Sequence, residues 1–320
     1  MTEDELIAAI APLTQGIGDD AALWQPSRSH RSAISTDVLI EGVDFTREMM
    51  PLADAGWRAM AANLSDLAAT GARPVLATVA LGIPQAATRD DVLELYRGIA
   101  ACADRYGAGI AGGDLSRAPS WTIAIAIVGE VRASNAKTRS GACPGDVLAV
   151  TGELGAARAG LELARRAQLF DDDLAEEALL AFRRPQPRIA QGRFFGASRN
   201  VRAMMDISDG LSTDVARLAC ASDCGAEVDA VPVAPCARWF AQRIGEEPQR
   251  FALAGGEDFE LLVAIRARAF AHVAQRYEAR FKSPLYRIGV LRAAHGVVWN
   301  GVALERSGWD HFAPAVTPGG

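Results

Sequence analysis

Acidic residues recur in this sequence beside apolar runs and in glycine-bounded turns: Gly18-Asp19-Asp20, Ser35-Thr36-Asp37, Asp66, Gly112-Gly113-Asp114 and Asp206-Ile-Ser-Asp209-Gly210. Crowded carboxylates repel one another, so a folded chain either leaves them solvated or faces them with cations. Each one alone also reads as a turn or N-cap residue, and for Gly16–Asp37 by itself the solvated turn is the simpler reading. As a set they follow segments that must be buried, and they should emerge on one rim of a sheet, where α/β folds gather their sites. Converging carboxylates at that density suit hard divalent cations, and Mg2+ bound through carboxylates plus substrate phosphates fits best.

Glycines complement the acids. Gly112-Gly113, Gly210 and Gly255-Gly256-Glu257-Asp258 would let backbone amides approach an anion, although each also serves as an ordinary tight turn. Arg139 is a candidate phosphate clamp, or an ordinary exposed arginine. The loose dinucleotide pattern Gly16-x-Gly18-x-x-Ala21 follows a helix instead of a strand and opens no helix, so we reject it. The four histidines share no ligand spacing, and there is no P-loop, thiolate cluster or nucleophile elbow.

The elements that must position these residues follow from periodicity. Apolar residues at helical spacing over Leu52–Thr70 stop at Gly71 and Pro74, placing Asn63, Ser65 and Asp66 in the last turns. Strands are expected at Arg31–Asp37, Pro74–Ile83 and Gly109–Ala111, with a first hairpin strand at Ala21–Trp24. Thr88 caps a helix running to Gly107, and the β-branched run Trp121–Val131 predicts a strand covered on both faces. The first half thus reads as an α/β unit with helices on one side of a sheet. Thr138–Asp146 carries the signals of a boundary. Beyond it the alternation resumes: strands at Val147–Thr151, Val201–Met205, Phe259–Ile265, Leu285–Leu291 and Val297–Trp299, and helices at Ala156–Ala167, Leu174–Arg183, Ile189–Ala197, Leu211–Ala221 and Ala267–Phe281. The echo of Ser35-Thr36-Asp37 in Ser212-Thr213-Asp214 reads as coincidence, since one ends a strand and the other lies in a helix.

Composition narrows the function classes. A chain of 320 residues is long for one core and suggests two domains in intimate contact, 1–137 and 138–320. A net charge of −6 argues against a nucleic-acid surface. Five cysteines without a CxxC pair suit reduced thiols, and the acidic start and lack of a long apolar run lead us to expect a cytoplasmic protein without membrane segments.

With these residues in view, the chain resembles the thiamine-monophosphate kinases, in the superfamily of aminoimidazole ribonucleotide synthetase and selenophosphate synthetase. The carriers are Gly16-Ile-Gly-Asp-Asp20, Ile34-Ser-Thr-Asp37, Asn63-Leu-Ser-Asp-Leu-Ala-Ala69, Gly112-Gly-Asp114, Thr138-Arg-Ser-Gly141, Asp206-Ile-Ser-Asp-Gly210, Gly255-Gly-Glu-Asp258 and Trp309-Asp-His-Phe312. The resemblance implies an α/β, α+β sandwich-type fold of two domains. The N-terminal sheet, in the metal- and ATP-binding domain, would pair with its twin across a homodimer, and a C-terminal α/β domain would close the active site. It implies Mg2+ ligands at Asp20, Ser35, Thr36, Asp37, Asp66, Asp114, Asp206 and Asp209; ATP contacts at Tyr106, Gly113, Asp114, Arg139 and Ser208; and substrate contacts at Asp44, Glu257 and Trp309. Asp44 stands where the family often has histidine, and Asp19 can serve as a turn residue only.

The activity so implied is ATP-dependent phosphorylation of thiamine monophosphate to thiamine diphosphate, in one in-line step assisted by several Mg2+ ions. No residue is assigned as base or nucleophile, because a phosphate-monoester acceptor with a second pKa of about 6 is largely dianionic at neutral pH. Two alternatives stay open: another ATP-dependent synthetase of the superfamily, and a non-catalytic nucleotide-binding subunit. Selenophosphate synthetase is disfavoured because no cysteine precedes Cys102.

Overall fold

A computed structural model describes residues 5, 9–13, 26–166, 172–304 and 307. The expected strand at residues 21–24 lies outside them. Four strands form the first sheet: β1 (His30–Ile40), β2 (Arg73–Ile83), β3 (Gly109–Arg117) and β4 (Thr122–Arg132), in the order β1-β4-β2-β3. β4 runs antiparallel to β1 and β2, and β3 parallel to β2.

Helices α1 (Leu52–Thr70) and α2 (Arg89–Tyr106) pack together over this sheet, α1 across β1, β2 and β4. The expected bounds of α1 are met, because Gly71 at φ +76° adopts the left-handed cap and donates to Ala68 O while Ala72 donates to Leu67 O. α2 opens on the expected Thr88, in a capping box with Asp91. The helices approach closely because of a glycine: a Cβ on Gly98 would lie 1.8 Å from Ala53 O.

β4 differs from expectation. Ile123, Ile125 and Ile127 are fully buried toward the helices, but Ala126 on the other face is exposed, as are Ile34 and Val38 on β1. Isoleucine alternating with alanine gives one bulky face and one thin one, which a reading by hydrophobicity alone does not separate. β3 also runs past its expected end, through Gly112-Gly113-Asp114 to Arg117.

In the second half, β5 (Val147–Val150), β6 (Val201–Asp206), β7 (Gly225–Val228), β8 (Leu261–Ile265), β9 (Tyr286–Arg292), β10 (Val297–Trp299) and β11 (Val302–Ala303) form a seven-stranded sheet ordered β11-β10-β7-β9-β5-β8-β6. Its pairs are antiparallel except β7 with β10. Around it lie α3 (Ala156–Arg166), α4 (Asp173–Arg183), α5 (Ile189–Gly196), α6 (Leu211–Ala221), α7 (Pro235–Arg243), α8 (Pro248–Ala254) and α9 (Phe270–Phe281). Residues 225–254, to which the sequence reading assigns no element, hold β7, α7 and α8. Each helix there starts on a proline, which at the first helical position loses no hydrogen bond.

β8 is buried along its whole length, and its side chains divide by pleat. Leu262 and Ala264 join the core under α3, α6, α7 and α8, whereas Leu261, Val263 and Ile265 join a core that continues into the first half. The two halves therefore share one hydrophobic seam. Their polar groups meet at its edge.

Candidate active site between the two halves

The last turns of α1 carry the central residues. Ser65 and Asp66 are neighbours on this helix, and each faces a strand of a different sheet. The Ser35 hydroxyl of β1 donates to the Asp66 carboxylate, and the Ser65 hydroxyl donates to Asp206 Oδ2 at 2.7 Å, at the end of β6. Asp37 lies two residues beyond Ser35 and hence on the same face of β1. Thr36 faces the other way: it is exposed, and its hydroxyl donates to Ile125 O at 3.0 Å.

These acids share a shortage of positive charge. Burial, then the neighbouring Asp66, pushes the Asp37 carboxyl up to about 6. Burial also raises Asp66, against the Ser35 hydrogen bond and the charge of Arg139. Asp206 is pushed up to about 7 by burial and then by Asp66. Desolvated acids that repel one another are the chemistry a bound cation relieves.

The second half contributes two facing loops. One follows β6 and carries Ser208 and Asp209, whose carboxylate pairs with Arg217 of α6. The other is Gly255-Gly256-Glu257-Asp258. Its glycines permit contact between the loops, because a Cβ on Gly256 would lie 2.7 Å from Ser208 O, and the Glu257 amide donates to that same oxygen at 2.7 Å. That amide is thus used in joining the loops. Asp258 is turned inward and caps α3, accepting from Gly155 N at 2.8 Å and Ala157 N at 3.3 Å. Glu257 pairs with Arg58 of α1, a residue only 1% exposed whose guanidinium also donates to Phe182 O and lies over the Phe182 ring.

Two cavities meet at the acids. The larger, about 590 Å³, lies between the halves and is lined by Asp37, Asp44, Arg58, Asp66, Asp206, Ser208, Asp209 and Glu257. A second, about 540 Å³, is lined by Ser35, Asp66, Thr138, Arg139, Ser140 and Asp206. Asp66 and Asp206 belong to both walls.

The fold therefore brings together Ser35, Asp37, Asp66, Arg139, Asp206, Ser208, Asp209 and Glu257. Their gathering principle is not a rim of strand ends: Asp37 and Asp114 lie inside strands, and Asp66 lies in a helix. Asp44 reaches the larger cavity, but its Oδ2 accepts from Ile40 N at 2.8 Å, closing the turn after β1. Tyr106, Gly113 and Asp114 line neither cavity; Tyr106 donates to Gln186 Oε1 at 3.1 Å, and Asp114 accepts from Ser116 at 2.8 Å. Asp19, Asp20 and Trp309 lie outside the described residues. Arg58 is a site residue that the sequence reading misses. The available signal for Arg58 was a charge between Trp57 and Ala59 on an apolar helix.

Carboxylate and hydroxyl oxygens of Asp37, Asp66, Asp206 and Ser35 are the hard donors that Mg2+ takes. In kind and in charge they fit. Among the described residues, however, no three acidic, histidine or cysteine side chains form a group able to enclose a cation.

Two family models match the chain: AIR synthase related protein, N-terminal domain, over residues 18–131, and AIR synthase related protein, C-terminal domain, over residues 143–299. The thiamine-monophosphate kinase of Escherichia coli (strain K12) is 36% identical over 313 residues, 93% of this chain and 92% of that protein. That of Rhodopirellula baltica is 36% identical over 301 residues, 91% and 87% of the two chains. Among solved structures, thiamine-monophosphate kinase from Stenotrophomonas maltophilia K279a has a TM-score of 0.82 at 33% identity, covering 94% of this chain and 96% of that one. AaThiL complexed with AMPPCP and TMP has a TM-score of 0.82 at 29% identity, covering 98% and 99%. The two-domain α/β architecture expected from the resemblance is the one this chain has.

Proposed function

The chain belongs to the thiamine-monophosphate kinase family, and on that premise we propose that it transfers the γ-phosphoryl group of ATP to the phosphate of thiamine monophosphate, giving thiamine diphosphate. The observation that carries this reading is the wall shared by two cavities. Asp66 and Asp206 stand between a space reached by Arg139 and one reached by Asp44 and Glu257. Two phosphorylated substrates entering from either side would meet at the acids.

Arg139 would hold the nucleotide's phosphates on one side; Ser208, which lines the larger cavity, and Tyr106, Gly113 and Asp114, which line neither, are ATP contacts that the resemblance implies and that this geometry does not bring to Arg139. Glu257, Asp44 and Trp309 would orient the thiamine moiety on the other, Glu257 with its charge already offset by Arg58. Asp20, Ser35, Asp37, Asp66, Asp206 and Asp209 would hold several Mg2+ ions, whose charge offsets repulsion between acceptor and donor and stabilises the transferring phosphoryl; Thr36, on the other face of β1, and Asp114, which lines neither cavity, are ligands that the resemblance implies and that this geometry does not bring to the others. The acceptor is largely dianionic near neutral pH, with a second pKa of about 6, so we assign no general base and no covalent intermediate. Displacement is then a single in-line step, with the protein supplying alignment.

We also propose the division into domains 1–137 and 138–320, which the change of sheet between β4 and β5 supports. A homodimer built on the uncovered face of the first sheet and a cytoplasmic location complete the reading; among the described residues no helix is long and apolar enough to cross a membrane. The deciding experiment is a coupled ADP-release assay with thiamine monophosphate against aminoimidazole precursors. Turnover only with an aminoimidazole precursor would move the chain to the synthetase alternative, and none with either to the non-catalytic one. With chirally labelled γ-phosphate, inversion is expected, and retention would refute a single step.

A further inference from the structure

We propose that Asp214 is a positioning residue for phosphoryl transfer, fixing the Asp206–Gly210 turn and the direction of the Asp209 carboxylate; this rests on the function proposed above. Asp214 lies in the first turn of α6 and is fully buried. Its Oδ2 accepts two backbone hydrogen bonds, from Ser208 N and from Asp209 N, both at 3.1 Å. Its Oδ1 accepts from Arg217 Nη1 at 3.1 Å, and the same nitrogen reaches the Asp209 carboxylate. One carboxylate thus holds the main chain of the turn with one oxygen and, through Arg217, a side chain of the turn with the other.

A plain helix-opening acid would direct its oxygens at the first amides of its own helix. Asp214 directs them outside it, at residues 208 and 209, while Asp214 N and Thr213 N are taken by Gly210 O. The chemistry of the position is narrow. Serine or threonine offers one oxygen instead of two, and asparagine turns an NH2 group either at the amides or at Arg217. The turn so held places Ser208 and Asp209 on the wall of the larger cavity beside Asp206, where small displacements weaken transfer strongly.

The test uses the full chain with Asp214→Ala and Asp214→Asn and three readouts: amide hydrogen exchange, Mn2+ binding to the nucleotide-free protein by electron paramagnetic resonance, and steady-state kinetics. In folded Asp214→Ala, the amides of residues 208 and 209 should exchange faster while those in the middle of α6 do not. Groups that orient ligands from behind are worth about 10–100-fold, so Mn2+ affinity and kcat should each fall by about that factor, with KM for ATP changed by less than about threefold. Asp214→Asn should lie between Asp214→Ala and the wild type. A merely structural role lowers the melting temperature but leaves the folded fraction with wild-type kcat and Mn2+ affinity, and that result would overturn the proposal. Should Asp214→Ala fail to fold, Asp214→Asn decides alone: losses of about tenfold support the role, and values within about twofold overturn it. A wild-type protein inactive on thiamine monophosphate would sink the functional reading separately, while exchange and Mn2+ binding would still report whether Asp214 fixes the turn.

Discussion

Asp258 is the acid whose behaviour follows most directly from its surroundings. It caps α3 from inside the protein, and burial pushes its carboxyl from 3.8 up to about 7, against the two amide hydrogen bonds and with help from Glu260 and Glu257. A folded pKa above the unfolded one means that the folded state holds the proton more tightly. The stability it contributes is therefore fully present below about pH 4 and is lost as pH rises through about 7. Asp258→Asn removes that proton, so wild type should lose stability relative to the variant between those limits, with a slope approaching about 1.4 kcal/mol per pH unit. Urea denaturation at several pH values measures it, and parallel curves for the two proteins would contradict the assignment. For the acids facing the cavity the expected effect is on turnover. Asp37→Asn and Asp209→Asn should each lower kcat by about 100-fold or more while the protein stays folded. Wild-type rates in either variant would remove that residue from the proposed metal set.

At the scale of elements, the site depends on how tightly α1 is seated, since α1 alone carries Arg58, Ser65 and Asp66. Its partner α2 contributes Gly98, where a Cβ would meet the Ala53 carbonyl at 1.8 Å. Helix propensity alone makes Gly98→Ala stabilising by about 1 kcal/mol. Backbone contact should reverse that sign, because neither the Ala53 carbonyl nor the α2 backbone can yield without separating the helices. We expect net destabilisation of about 1–3 kcal/mol by chemical denaturation. A more stable variant would show that the helices are packed less closely. A weakened α1 seat should also raise KM for both substrates together, since both cavities use Asp66.

For the whole molecule, helices pack on one face only of the first sheet among the described residues. On the other, Ile34, Val38, Thr78, Ala80 and Ala126 are exposed on three adjacent strands, paired in register as Thr36↔Ala126↔Thr78 and Val38↔Ala124↔Ala80. A thin, largely apolar sheet face of this kind suits a second copy of itself. If the proposed homodimer forms there, Ala126→Glu should give a monomer in sedimentation, with the fold intact by circular dichroism. A dimer that survives the substitution would place the interface elsewhere. The seam between the halves is of another kind: it is a continuous core closed at its edge by the Arg58–Glu257 pair. Losing Glu257 alone should be more damaging than losing both partners, because the Arg58 charge would stay buried without its partner.

What is local could be read from the chain. Capping at Thr88, the left-handed stop at Gly71 and the apolar spacing of α1 act within a few residues, and they placed Asp66 in its helix to the residue. The ordered motifs carry the family and name the acids of the site. Tertiary structure alone decided which of these share a wall. Ser35 meets Asp66 across 31 residues, Ser65 meets Asp206 across 141, and Arg58 of the first half neutralises Glu257 of the second. No periodicity encodes such pairs, because they depend on how sheets and helices stack after each has formed. For the same reason Asp214, which looked like an idle echo of Asp37, acquires its place only when α6 folds back against the turn that precedes it.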